Sequence, residues 1–553
     1  MGNPTRVDEE RQLLENAYKQ GTGAKLAAFA KLSGPGWLQS AITLGGGSLA
    51  SSLYLGVLAG FSLLWLQPLA MILGIIMLSS IGYITLSTGE RPLVAIRDHV
   101  NPVLAYGWAL AVAAANIVWC LPQFSLANGV LSQNLLPALF GKDGTLSTMG
   151  GPNLSMAVVS GTLLVVATVI TWSYDRGGWG LRLYETMLKI LVGVIVLCFV
   201  GVVISLALSE NGIQWGSLWA GLIPSPKQFF TPAASFDPML DAIGSMGTDA
   251  RDYWSSVIVS KQQDVIISAA ATAVGINMTF LFPYSLLRRG WDKSFRGLAT
   301  FDLCTGMFIP FVLATGCVVI ASAAQFHTKV TADFTIEGQN VIPSADFAKP
   351  YNGLLAARNE KVSSELTLAE KKLAATLVDR KARHLSGALV PLTGKFVADI
   401  IFGVGVLAMA LSTISLLMLI SGLVFCEVLE LPPTGWPFRI GTLFAGVAGM
   451  VGPFFWSKAA FYLAVPTSVF GFVLLPFAYI TFVILMNQKR LLGKNMATGG
   501  KRLVWNLLMG ISASLATIGS LYMINKKAGL FGFAAVGIFV LMAIVSHFFR
   551  PPK

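Results

Sequence analysis

The sequence predicts an all-α membrane protein of about twelve transmembrane helices, and three observations carry that reading. Of 553 residues only 12% are charged while 54% are hydrophobic, and the mean hydropathy is +0.69. A soluble domain averages about 25% charged residues, and a disordered chain is poor in apolar ones. Apolar runs long enough to cross a bilayer core of about 30 Å, roughly 20 residues each, recur along the whole chain. Finally, the excess of Lys+Arg 39 over Asp+Glu 27 sits mostly in short segments between those runs. There it reads as membrane topology rather than as a surface for nucleic acid.

The runs lie near 34–57, 60–87, 103–136, 154–174, 185–208, 264–288, 301–325, 396–426, 437–456, 461–486, 503–523 and 529–549. They are numbered here as spans 1 to 12. Before span 1, Asp8, Glu9, Glu10 and Glu15 stand in a stretch without an apolar segment, so no cleavable signal peptide is expected. Ala24–Leu32 reads as part of a short solvated arm. Loops on the N-terminal side carry Arg91, Arg97, Arg176, Arg182, Arg288, Arg289, Lys293, Arg296, Lys489, Arg490, Lys494, Lys501 and Arg502. The opposite short loops carry Lys142, Lys458, Lys526 and Lys527. This bias places both termini in the cytoplasm, in a plasma (inner) membrane. Two long outer segments remain, 209–263 and 326–395, the second with the composition of an exposed helix around Val362–Arg383.

Spans 1 and 6 are weak as helices. Gly45, Gly46, Gly47 and Ser48 sit mid-span in the first, at about 1 kcal/mol per glycine. Pro283 lies near the middle of span 6 and removes a backbone donor. Paired interruptions five spans apart point to an inverted-repeat transporter, because unwound backbone at membrane depth survives only against protein or a water-filled cavity.

At these residues the chain resembles the Nramp family of proton-coupled divalent-metal transporters, within the LeuT-type amino acid–polyamine–cation superfamily. The landmarks run in the family order from Gly34-Pro35-Gly36 through Leu63-Leu64-Trp65, Ala220–Pro224, Ala273–Ile276, Pro283, Ala323-Ala324 with Phe326-His327, and Leu475–Ala478 to the basic turn Asn487–Gly493. The resemblance implies a 5+5 inverted repeat with broken helices 1 and 6. It divides the chain into an arm (1–32), a first five-helix repeat (33–208), an external linker (209–263), a second repeat (264–486, with the insertion 326–395) and two further helices (487–553).

The family's metal ligands are replaced. Its Asp-Pro-Gly-Asn is matched by Gly45, Gly46, Gly47 and Ser48, its Met-Pro-His by Phe282-Pro283-Tyr284, and a span 8 glutamine by Leu411. The region of Pro122, Gln123 and Ser125 lacks the family's acidic residues. The four histidines (His99, His327, His384, His547) fall in loops or near span ends. Glu185 is expected to pair with Lys189 one turn on, and Asp399 with Lys395; Asp302 reads as an interfacial anchor. The five cysteines show no CxxC spacing, so neither a disulfide framework nor a thiolate site is indicated.

Two substrate readings stay open. Family inheritance implies a metal cation, a hard one such as Mg²⁺, held by carbonyls, hydroxyls and retained waters. The glycine break instead suggests a small organic solute or amino acid, its carboxylate held by N–H groups at a half-helix start. Taken together, the two readings give as candidate residues Thr43, Gly45, Gly46, Gly47, Ser48, Asn277, Thr279, Phe282, Tyr284 and Ser285, the cation resting on Ser48, Thr279 and the carbonyls near Leu44 and Asn277. Asn116, Gln123, Ser412 and Thr413 are secondary candidates, the last two for a coupling ion. No nucleophile–base pair or nucleotide-binding loop argues for an enzyme, no cofactor is implied, and transport would run on gradients across the lipid bilayer. A non-transporting receptor or scaffold on the same fold is the remaining class.

Overall fold

A computed structural model describes residues 4–175, 178–209, 213–244, 248–380 and 382–549; of 4, 5, 178, 382, 383, 392 and 456–472 it describes the backbone alone. Arg176 and the Lys458 side chain, both used to orient the chain, lie outside what is described. Ten helices among the described residues are long and apolar enough to cross a membrane, eleven when the bent pair forming span 1 is counted. In span 10, which runs as a helix over Gly452–Met486, residues Val473–Met486 add a shorter apolar helix.

Span 1 is two helices, Pro35–Thr43 and Gly46–Ala59, bent by 56°. Span 6 is also two, Thr248–Ala273 and Ile276–Arg289. Its interruption is at Val274-Gly275, and Pro283 sits inside an unbroken second half. A single proline removes one hydrogen bond, which a tightly packed helix tolerates, so it does not mark the break. The helix also begins at Thr248, well before the apolar run. Its first turns form a polar stalk ahead of that run, which hydropathy alone does not detect.

Span 3 (Pro102–Leu135) lies along span 8 (Phe396–Val428), and the second half of span 1 along span 7 (Lys293–Phe326). These helices enclose the main apolar core around both interruptions. Span 12 (Gly529–Phe548) has no buried residue and stands at the periphery.

The N-terminal arm departs from its solvated reading. Helices Pro4–Gln20 and Thr22–Leu32 dock on the bundle through Leu14, Ala28, Phe29 and Leu32, all buried. Trp291 Nε1 donates to Glu10 at 3.0 Å, and Arg11 pairs with Asp292 at 3.0 Å.

Segment 326–395 folds into a cap with its own apolar cluster, shared with the span 6 stalk. A hairpin pairs Phe334–Glu337 with Asn340–Pro343. Within the stretch expected as an exposed helix, Leu368–Leu377 is helical but buries Leu373, Ala374, Ala375 and Leu377. Thr367 and Glu370 form a reciprocal N-terminal capping box. The Glu370 carboxylate also accepts from Arg358 at 2.6 Å and from Trp254 of the stalk at 3.1 Å. Burial pushes the Glu370 carboxyl up, but the Thr367, Arg358 and Trp254 hydrogen bonds outweigh it and hold it below its ordinary 4.5. A depressed acid contributes stability that is complete above its unfolded value and lost as pH falls through its folded one. Amide hydrogen exchange should therefore report a cap that is protected at neutral pH and loosens below about pH 4.5, whereas Glu370→Gln should remove that acid step.

Candidate functional site

The break in span 1 exists because Leu44 (φ −81°, ψ 65°) and Gly45 (φ −117°, ψ 179°) leave helical geometry. Backbone groups freed at bilayer depth need partners, and neighbouring side chains supply several. The Gly46 N–H donates to Gln123 Oε1 at 2.8 Å. The Ala41 carbonyl accepts from Ser412 at 3.2 Å and Thr413 at 3.3 Å, and the Leu44 carbonyl accepts from Thr413 at 3.4 Å. The Ser48 hydroxyl donates to the Thr43 carbonyl, and Thr43 Oγ1 to Ser40 at 2.9 Å. Gly45 faces span 8 so closely that a Cβ would stand 2.9 Å from Thr413 Oγ1. Gln123, Ser412 and Thr413, expected as secondary residues, thus meet directly at the break.

At the span 6 break, Gly275 packs against the Trp119 ring, where a Cβ would meet carbon atoms at 2.7 Å. Just beyond it, Asn277 is buried, and Thr279 Oγ1 donates to the Ile276 carbonyl at 2.5 Å while accepting from Trp108 Nε1 at 3.0 Å. Trp119 and Gln123 are one helical turn apart on span 3, so one face of that helix serves both interruptions.

Phe282, Tyr284 and Ser285 are not gathered there. Phe282 lies against Gly82 of span 2, and Ser285 Oγ donates to the Phe282 carbonyl at 2.6 Å. Tyr284 stacks on Phe280 with centroids 4.3 Å apart, its hydroxyl beside Glu427, which pairs with Arg91. The physical reason is the position of the break: with unwinding at Gly275, residues 282–285 sit two turns further along a regular helix.

Four buried polar side chains around the interruptions have atoms that make no hydrogen bond within the protein: Gln39 at both ends of its amide, Ser40 Oγ, Asn116 at both ends, and Asn277 Nδ2. A buried polar group left unpaired costs about 1–3 kcal/mol, so these atoms are open to water or to a polar ligand. Gln39 and Ser40 were not singled out from sequence. The available signal was a glutamine inside an apolar run, where polar groups are costly enough to be functional by default.

The acids near the bundle have other work. Asp302, fully buried, accepts from the Ser33 hydroxyl and from the N–H groups of Gly34 (3.0 Å) and Gly36 (2.6 Å), capping the first half of span 1. It is therefore a cap inside the bundle rather than an interfacial anchor. Glu185 pairs with Arg289 rather than Lys189, whose ammonium reaches the Ser33 carbonyl at 2.7 Å. Asp399 accepts from Asn134 and Ser386, each at 3.2 Å, instead of pairing with Lys395. Among the described residues no group of three or more His, Cys, Asp or Glu is placed to hold a metal ion.

The profile described as "Nramp: Natural resistance-associated macrophage protein-like" matches residues 36–342 and 366–524. No curated protein matches the chain. Among solved structures, the Eremococcus coleocola manganese transporter in complex with an aromatic bis-isothiourea substituted compound superposes with a TM-score of 0.61 at 15% identity, covering 95% of each chain. A histidine-to-alanine variant of that transporter gives 0.54 at 15% identity, covering 94% of each chain. A glutamate-to-glutamine variant gives 0.54 at 16% identity with the same coverage.

Proposed function

The chain belongs to the natural resistance-associated macrophage protein-like (Nramp) family of membrane transporters, and from that premise we propose that it is a gradient-driven transporter of a hard divalent cation such as Mg²⁺. The fold is the LeuT-type inverted repeat with interrupted spans 1 and 6. The observation that carries the substrate reading is the character of the unpartnered groups. Gln39 and Asn116 offer neutral amide oxygens, with no clustered carboxylate, thiolate or imidazole beside them among the described residues. Mg²⁺ gives up its waters reluctantly and usually keeps several. An amide oxygen accepts a hydrogen bond from a metal-bound water as readily as from a protein donor. The carboxylate, amide and thioether that the family resemblance implies at Gly45, Ser48 and Phe282 are absent from those positions.

The structural relative carries manganese in its name, which supports a metal cation as the substrate class. The organic-solute reading places a carboxylate on the N–H groups of Gly45–Gly47. In this conformation the Gly46 N–H is already taken by Gln123 at 2.8 Å, which favours the cation. The Lys/Arg bias supports a cytoplasmic location for both termini in the plasma (inner) membrane.

Purified protein in liposomes should take up Mg²⁺ in a saturable way. Calorimetry should find no Mn²⁺ or Cd²⁺ binding at about micromolar affinity, a free energy of about −8 kcal/mol. Micromolar Mn²⁺ binding, or thermal stabilisation by amino acids and not by Mg²⁺, would overturn the assignment.

A further inference from the structure

We propose that the end of the bundle carrying the N-terminal helices holds a binding site for a phosphate group. A cavity of about 190 Å³ opens there between helix Pro4–Gln20, the turn into span 1, span 5 and the end of span 6. Its floor is charge-balanced. Arg289 donates to Glu185 at 2.5 and 3.1 Å and to the Leu32 carbonyl at 2.9 Å. Lys189 reaches the Ser33 carbonyl, with Asp302 as the second nearby acid. On the wall, Arg6 is met by Glu10 at 2.9 Å.

The rim is not balanced. Lys31 and Arg182 line the same cavity, both are exposed, and neither has an ion pair among the described residues. Two uncompensated cations over a balanced floor suit a ligand with about two negative charges, which is the charge of a phosphate monoester near neutral pH. Arginine supplies a planar fork for phosphate oxygens, and lysine a compact point charge. The cavity is large beside the roughly 30 Å³ that a water occupies in the liquid, so an esterified phosphate has room. A phosphorylated solute and the headgroup of phosphatidic acid, itself a phosphate monoester, present the same chemistry. Either one tethers the arm, through Lys31, to span 5, through Arg182, next to the start of span 1.

Thermal unfolding of the full-length protein tests this without any transported ion, so its outcome is separate from that of the substrate reading. In detergent, inorganic phosphate should raise the unfolding midpoint of the wild type by several degrees over chloride at equal ionic strength. In nanodiscs, phosphatidic acid should do so relative to phosphatidylcholine if the source is lipid. A response to free phosphate alone assigns a soluble ester, and a response to phosphatidic acid alone a headgroup. In K31Q/R182Q the shift should vanish, while R182K should keep part of it. If the double variant fails to fold, K31Q and R182Q singly should each weaken the shift. No shift in either medium, or shifts equal in the wild type and the glutamine variants, would overturn the proposal.

Discussion

Gly45→Ala should lower uptake by about 5- to 150-fold while leaving expression and membrane insertion intact. The backbone at Gly45 (φ −117°, ψ 179°) is open to any residue, so the substitution introduces no torsional strain. What it introduces is a Cβ 2.9 Å from Thr413 Oγ1 and 3.1 Å from Thr413 Cγ2, closer than packed atoms sit. Overpacking of this kind costs about 1–3 kcal/mol, and the same energy biasing a two-state equilibrium amounts to about 5–150-fold. Thr413→Ala removes both crowding atoms, so the double variant should recover part of the uptake lost by Gly45→Ala. Radiotracer or fluorescent-indicator uptake in liposomes reads the whole cycle. Normal uptake by Gly45→Ala alone would mean that contact between spans 1 and 8 plays no part in transport.

Glu185→Ala should be among the most damaging single changes to the stability of the bundle. Glu185 and Arg289 are each only 9% exposed and meet at 2.5 Å. Nearby Asp302 is already engaged by Ser33 and two backbone N–H groups, and Glu10 by Arg6 and Trp291. Removing Glu185 strands a guanidinium in a low-dielectric interior, at about 3–5 kcal/mol. Replacing both partners by apolar residues of similar volume, as in Glu185→Leu with Arg289→Met, should restore much of the loss, because the desolvation penalty goes with the charges. Thermal unfolding in detergent distinguishes the cases. Equal midpoints for the single and double variants would show that the pair contributes through packing alone.

The spans were legible because hydrophobic length is a one-dimensional property, and so was the break at Gly45–Gly47, where three glycines stand in a row. The span 6 break was misplaced at Pro283. Proline announces itself in a sequence, whereas Gly275 is marked only by the Trp119 ring it must accommodate, a contact with a residue far away in the chain. Glu185 with Lys189 shows the same limit. Helical spacing offers the near partner, but Arg289 lies on a different span. Phe282 and Tyr284 stand about two turns beyond the span 6 break, while Gln123, Ser412 and Thr413 touch the span 1 break. Gln39 and Asn116 are both legible as amides within apolar runs.

Span 3 carries Trp119 against one interruption and Gln123 against the other. A twist of that one rod would draw the indole off Gly275 and the amide off Gly46 together, in the manner of an axle turning two cranks. The two discontinuities would then have to yield in step, and a substitution slackening one hub would throw the timing of both.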